Sequence, residues 1–358
     1  MHGRMNGSHT ALTHMKKPSE VNEFRRDPVS GEWILLSTKR AHRPKSAGKT
    51  VPRTHIAAGC AFEDPQKSGN GAPVLWFVHP SKRKSGKQLQ LADWFVQVIR
   101  NKYPALDHEG ASCPVEVRDG AGRMLGGVGF HEVIITRPHE KSLADMKVPE
   151  VELVIRAYQE RIHDLIAEEC LEYMLVFHNH GVSAGASIAH PHSQLVALPV
   201  IPSDVYRSLK GSKRYFSKHG VCAHCNVIHW EKKKQVRMIA ENRKFIAYAP
   251  YASHSNYEVR IYPKHHNARF ETIATEDRPL MAEILIMVLR ALKRALGNPD
   301  YNYFIHTAPI HEKNADHYHW HLEILPKTAT LAGLELGTGM EVISVSPEVA
   351  AQTLRAKL

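Results

Sequence analysis

His178 to Pro202 reads HNHGVSAGASIAHPHSQLVALPVIP. Its centre is rich in glycine, serine and alanine, so the backbone there can approach a ligand closely and offer N–H groups to it. His190-Pro191-His192 follows, then Ser193 and Gln194. The apolar residues from Ser193 to Pro199 predict an extended segment, and in a strand residues two apart share a face. His190 and His192 are therefore expected to face one site. A lone histidine on such a loop is more often structural. A small-residue loop, a paired histidine and a glutamine together point to function.

The elements around this stretch occur twice. HEVIITRPH (His131 to His139) predicts a strand, Val148 to Cys170 a helix and Glu172 to Phe177 a strand, ahead of the loop and the His-Pro-His strand. In the second half YEVRIYPKHH (Tyr257 to His266) leads to a helix from Arg278 to Leu296, a strand from Asn302 to His306, and HYHWHLEILP (His317 to Pro326). Aligning Glu132 with Glu258 and His139 with His265 gives one offset of about 126 residues, the mark of an internal duplication. Each half is expected to be a mainly antiparallel sheet with a packed helix, which makes the fold α+β. The division is a disordered tail at 1–20, a first half at 21–202 that carries His-Pro-His, and a second half at 203–358. Ser203 to Ala240 reads as a lysine-rich connecting insertion with the pair Cys222-Ala-His-Cys225.

A chain of 358 residues suits two domains or a duplicated one. With no apolar run of membrane-span length and no signal-peptide core, a cytoplasmic protein is expected. Five cysteines, an odd number, make no disulfide framework and fit a reducing compartment. The net charge of +11 fits small phosphorylated substrates. Together with CAHC it also raises a zinc-dependent nucleic-acid-binding protein, but the basic residues lack interleaved aromatics and no second CxxC stands at finger spacing. No GxGxxG or GxxxxGK[ST] follows a strand, which excludes a Rossmann or P-loop site. A turn at Asp27 to Gly31 and a strand from Trp33 to Leu36 precede Arg40 and Arg43, which are surface charge or partners for phosphate. Cys222 and Cys225 make half a zinc site. A redox pair is the alternative, disfavoured because no helix start is read around it.

From about Phe24 onward the chain resembles the galactose-1-phosphate uridylyltransferase branch of the histidine-triad superfamily. The matching stretches are RRDPVSGEWILLSTKRAHRP, GCAFE, NKYPAL, TRPHEKS, FHNHGVSAGASIAHPHSQ, APYASHSNYEVRIYPKHH, and HWHLEILPK with GLELGTG. The resemblance implies a covalent transfer in which His192 attacks the α-phosphorus of a nucleoside-diphosphate sugar. Gln194 would hold the nonbridging oxygens, with Ser187 and the backbone of Gly185 and Ala186 lining the same phosphate. It also implies that Arg40 and Arg43 reach the phosphates, that Asn179 is the loop asparagine, and that Glu335, Gly337 and Thr338 lie at the hexose-phosphate end. The implied reaction moves UMP from UDP-glucose through a uridylyl-His192 intermediate to galactose 1-phosphate, by ping-pong kinetics. The runner-up is the branch that phosphorolyses ADP-glucose. Ser193, where uridylyltransferases tend to have glycine, and the run HSQ followed by ALPVIP look like that branch. A simple histidine-triad hydrolase usually has histidine in place of Gln194.

The family's structural zinc implies Cys60, Glu63, His139 and His190, with Glu63 standing where the family has a second cysteine. One thiolate, one carboxylate and two imidazoles still make a tetrahedral set. For the CAHC pair, some members of the branch use a histidine of the second-half strand, which implies Cys222, Cys225 and His306. The fourth ligand is left open, with His254 and His319 as candidates. His317, His319 and His321 alternate too, but the polar, charged run Glu312 to Asp316 precedes them where the first half has its small-residue loop. Catalysis is therefore placed in the first half. A homodimer is implied, and the expected partners are a nucleotide sugar and a sugar 1-phosphate, with no nucleic acid and no membrane.

Overall fold

The structure is a computed structural model that describes residues 21–42, 57–82, 88–108 and 113–358. The expected tail and Arg43 lie outside the described residues.

In chain order the strands and helices of the first half are β1 (Asn22–Arg26), β2 (Trp33–Ser37), β3 (Leu75–Val78), β4 (Trp94–Arg100), β5 (Val117–Asp119), β6 (Gly122–Met124), β7 (Phe130–Thr136), α1 (Val148–Leu165), β8 (Tyr173–His180) and β9 (His192–Leu198). There follow α2 (Ser203–His219), α3 (Ala223–Lys234), β10 (Met238–Glu241), β11 (Phe245–Tyr248), β12 (Val259–Pro263), α4 (Arg278–Leu296), β13 (Tyr301–His306), β14 (His321–Pro326), α5 (Gly333–Thr338), β15 (Val342–Ile343) and α6 (Pro347–Arg355).

Ten strands form one sheet in the order β10-β11-β12-β14-β13-β8-β9-β7-β4-β3. The order is a palindrome of the duplication, because β3-β4-β7-β9-β8 matches β10-β11-β12-β14-β13. The halves join by antiparallel pairing of β8 with β13, where Asn179 stands opposite Asn302. They therefore share one continuous sheet.

The periodic apolar positions of the two long helices explain why both lie on the same face. α1 buries Val151, Val154, Ile155, Tyr158, Ile162 and Leu165, and α4 buries Met281, Ile284, Leu285, Val288, Leu289 and Leu292. The helices pack against each other and close one core with Ile134, Leu195 and Tyr303 from the sheet and Trp320 just before β14. Deleting one of these side chains to alanine would cost about 2–5 kcal/mol. Glu132, the marker used to align the halves, is structural. Its two oxygens accept from Nε and Nη2 of Arg161 at 2.8 and 2.7 Å and tie β7 to α1.

With helices on one face, the other face of the first half is left for a site. It carries a small apolar cluster of Phe62, Trp94, Ile99, Val133 and Ile135. The turn before β2 forms as expected: the Asp27 carboxylate accepts the amides of Val29 and Ser30, and Gly31 adopts φ +81°.

Two expectations need correction. The segment from Ser203 is two helices, with Cys222 as the N-cap residue of α3, so a helix start does stand at CAHC. Charged residues on the solvent side masked the periodicity that buries Val205 and Leu209. Cys113 and Cys170 form a disulfide, whereas the cysteine count suggested none. It ties the loop ahead of β5 to the turn between α1 and β8, and 57 residues of separation hide it in the sequence. No helix among the described residues is long and apolar enough to cross a membrane.

Candidate active site and metal clusters

β9 begins at His192, and strand alternation sorts its side chains. Ser193 points toward the helices, where its hydroxyl meets the Tyr158 hydroxyl at 2.5 Å and His178 Nδ1 at 3.0 Å. His192 and Gln194 point to the open face. His192 is buried, with its ring edge to face against Phe62 at a centroid distance of 5.0 Å. Its Nδ1 lies 2.8 Å from the His190 carbonyl. A carbonyl only accepts, so Nδ1 carries the hydrogen and Nε2 keeps the lone pair. Burial lowers the pKa of this imidazole, opposed by the hydrogen bond to that carbonyl. A neutral histidine with its tautomer fixed and Nε2 open has what a nucleophile needs.

The small-residue loop folds differently from the expectation. Val182 to Ala184 form a 3-10 turn bounded by Gly181 at φ +89° and Gly185 at φ +86°. The Gly185 amide donates to the Val182 carbonyl at 2.9 Å and the Ala186 amide to the Gly181 carbonyl at 3.1 Å. The two amides assigned to the phosphate thus hold the loop's own shape. Ser187 is exposed beyond them. Asn302 of β13 clamps the loop, its Nδ2 donating to Asn179 Oδ1 at 2.8 Å and to the Ala184 carbonyl at 2.7 Å. Asp300 accepts the Ser183 amide at 2.8 Å and occupies the space a Cβ on Gly181 would need. Gly181→Ala is therefore expected to displace the loop and lower turnover about a hundredfold, read as kcat on folded protein. Unchanged kcat would show that the loop is not part of the site.

His190 belongs elsewhere. Its Nδ1 lies 3.1 Å from His139 Nδ1, 3.8 Å from Cys60 Sγ and 3.5 Å from Glu63 Oε1. His139 Nδ1 lies 2.5 Å from the same carboxylate oxygen. Cys60, His139 and His190 converge, and Glu63 reaches the two imidazoles. His190 Nε2 donates to the Thr136 carbonyl at 2.6 Å, which turns the Nδ1 lone pair into the cluster, an orientation suited to a metal ligand.

The second cluster differs from the expectation. Cys222 and Cys225 meet His266 and His319, with Cys225 Sγ 3.3 Å from His266 Nδ1 and 3.4 Å from His319 Nδ1. His319 Nε2 lies 3.1 Å from the Pro263 carbonyl, the same orienting device. The hydrogen bond from Cys225, opposed by burial and aided by His266 and His319, pulls the Cys222 thiol strongly down. His306 is not in this group; it lies with His321 and Glu323. His254 pairs instead with Glu341 at 3.2 Å.

Strand register explains the missed ligand. Val133 stands opposite Gln194, and Arg260 opposite Glu323. Val133 thus corresponds to Arg260, one residue further than the pairing of Glu132 with Glu258. The same shift carries His139 from His265 to His266.

The register also shows what the second half has become. His321 matches His192, and its Nδ1 lies 3.2 Å from the His319 carbonyl. The counterpart of Gln194 is Glu323, whose carboxylate pairs with Arg260 at 3.3 Å. A phosphate there would face a carboxylate already engaged with a guanidinium. The first half has neither.

Arg40 lies exposed in a 3-10 turn after β2. Glu335 caps its own helix, accepting the Ala332 amide at 3.0 Å, and Thr338 donates to the Leu334 carbonyl at 2.6 Å. Gly337 lies exposed between them. Beside Gln194 opens a cavity of about 460 Å³ lined by Arg100, Asn101, Lys102, Phe130 and His131 among others. His131 and Asn302 had no local signal, since neither lies in a recognisable spacing.

A family model described as the N-terminal domain of galactose-1-phosphate uridyl transferase matches residues 12–202. Similar proteins include an ADP-glucose phosphorylase of Arabidopsis thaliana, 33% identical over 93% of this chain and 92% of that protein. A galactose-1-phosphate uridylyltransferase of Thermotoga maritima is 26% identical over 93% of this chain and 98% of its own length. Among solved structures, an ADP-glucose phosphorylase from Arabidopsis thaliana with bound ADP-glucose has a TM-score of 0.77 at 29% identity, covering 94% of this chain and 99% of that one. A uridylyltransferase structure has a TM-score of 0.68 at 28% identity, covering 94% and 98%.

Proposed function

The chain belongs to the galactose-1-phosphate uridylyltransferase family, and from that premise we propose that it is a nucleotidyltransferase that carries a nucleoside monophosphate on Nε2 of His192. The observation that carries this reading is the buried imidazole whose Nδ1 is held by the His190 carbonyl. Nε2 attacks the α-phosphorus of UDP-glucose, the phosphoanhydride bond breaks, and glucose 1-phosphate leaves with the bonding pair. Galactose 1-phosphate then attacks the same phosphorus, the P–N bond breaks, and neutral His192 is regenerated. The nucleoside lies in the cavity beside Gln194, and Gln194 donates to the nonbridging oxygens. Arg40, Arg43, Asn179 and Ser187 complete the phosphate surroundings.

A second reading rests on the 33% identity to the ADP-glucose phosphorylase: AMP would load onto His192 and inorganic phosphate would accept it. Incubation with UDP-glucose or ADP-glucose separately, followed by mass spectrometry of the His192 peptide, decides between them. A UMP adduct supports the first reading and an AMP adduct the second. Turnover with no adduct from either donor would sink the covalent mechanism.

Zinc at both four-residue clusters is part of the proposal, because thiolate and imidazole donors suit it. The ion at Cys60, Glu63, His139 and His190 would hold the strand that presents His192. It would take no part in the transfer. A homodimer would give Glu335, Gly337 and Thr338 a role at a neighbouring copy's hexose phosphate. A cytoplasmic location would keep Cys60, Cys222 and Cys225 reduced for metal, while the Cys113–Cys170 disulfide is uncommon in such a compartment.

A further inference from the structure

The hydrogen bonds of His131 fix more than its own ring. The Ala105 backbone amide donates to His131 Nδ1 at 3.1 Å. A backbone amide can only donate, so Nδ1 is an acceptor and the neutral ring carries its hydrogen on Nε2. That nitrogen lies 2.7 Å from Gln194 Oε1. Asn101 Nδ2 also lies 3.1 Å from it, while Asn101 Oδ1 is engaged by the Tyr103 amide. Asn101 turns an NH₂ group, a donor, toward this N–H and cannot accept it, so the acceptor is the oxygen of Gln194. With Oε1 anchored, the NH₂ end of Gln194 is turned away from His131.

We propose that His131 is a positioning residue that decides which end of the Gln194 carboxamide faces the reacting phosphate. A carboxamide reversed by half a turn would present its oxygen to the nonbridging phosphate oxygens, a repulsive contact where charge develops. Sterically the two orientations are nearly equal, so the choice needs a donor at a fixed place. The chain of bonds from the Ala105 amide through the imidazole to Gln194 supplies it. His131 itself need not touch substrate. This inference rests on the proposed transfer through His192.

His131 also supports the Asn101 to Ala105 turn, since its carbonyl accepts the Asn101 amide at 2.8 Å. The test must separate the two roles, and a double-mutant cycle with Gln194 does so. The rate of nucleotidyl-His192 formation is measured by rapid quench and mass spectrometry in four proteins: the parent, His131→Phe, Gln194→Ala and the double variant. If His131 acts through Gln194, His131→Phe slows labelling about tenfold in the parent and less than about twofold in the Gln194→Ala background. His131→Gln, which keeps a donor near the place of Nε2, should recover most of the rate. Equal losses in both backgrounds, or no loss in the parent, overturn the proposal. If His131→Phe does not fold, His131→Gln and His131→Met are compared, and equal rates overturn it. A parent protein that forms no adduct at all defeats the transfer reading instead.

Discussion

His192→Asn is expected to lower turnover about 10⁴-fold or more with whichever nucleotide sugar the protein uses, and to abolish the labelled peptide. Among the described residues, no other histidine on the open face combines a fixed tautomer, burial and a neighbouring glutamine. His190 is drawn into the cluster with Cys60, and His321 stands beside Glu323. The pH dependence follows from the same burial. Because the His192 pKa lies below the ordinary imidazole value of 6.5, the ring stays neutral as the pH falls through that value. The donor half-reaction should therefore run level from about pH 8 to 6.5 and decline only below. Loss of half the rate at or above pH 6.5, or an asparagine variant retaining a tenth of parental activity, would remove His192 from the role.

Arg260→Met is expected to cost about 3–5 kcal/mol of folding stability, read as a lowered midpoint in urea, even if the methionine fills the volume. The Arg260 guanidinium is buried and meets Glu258 at 2.8 Å, Asp27 at 3.3 Å and Glu323 at 3.3 Å. Removing it strands buried carboxylates, and the desolvation they have undergone is no longer offset. Asp27 belongs to the turn before β2, so the variant should also loosen the amino-terminal hairpin and expose it to proteolysis. Arg260→Lys keeps the charge but not the fork and should recover only part of the loss. A cost below about 1 kcal/mol would mean that the network is solvated.

Much of the site could be read from the chain because its residues lie in strands, where a spacing of two fixes direction. His192 and Gln194 are legible in this way, whereas Cys60, Glu63 and His139 lie outside strands and were implied by the family resemblance alone. For the second cluster the resemblance implied His306, where the structure has His266, and the alignment of the halves was itself off by one residue. Glu132 and Glu258 looked equivalent, but one forms a fork with Arg161 and the other pairs with Arg260, and only the hydrogen-bonded register reveals the slip. The amides of Gly185 and Ala186, expected to line the phosphate, bond within the loop. Small residues permit a phosphate cradle and a self-bonded 3-10 turn equally well, and composition does not distinguish them. The helices α2 and α3 were lost because lysines on an exposed face dominate their composition. Asn302 and His131 act through partners 118 and 63 residues away, a kind of coupling that a linear reading does not register.

The clamp that Asn302 places on the loop has an evolutionary consequence. In the proposed transfer the first copy takes the phosphate, and the second was free to drift. It was not free to disappear, since its strand now holds the loop of the active copy and covers the edge of β8. Selection on catalysis thus reaches the second copy through the side chains of Asn302 and Asp300. The two halves cannot be shuffled as independent modules, and substitutions along β13 should be inherited together with those in the loop.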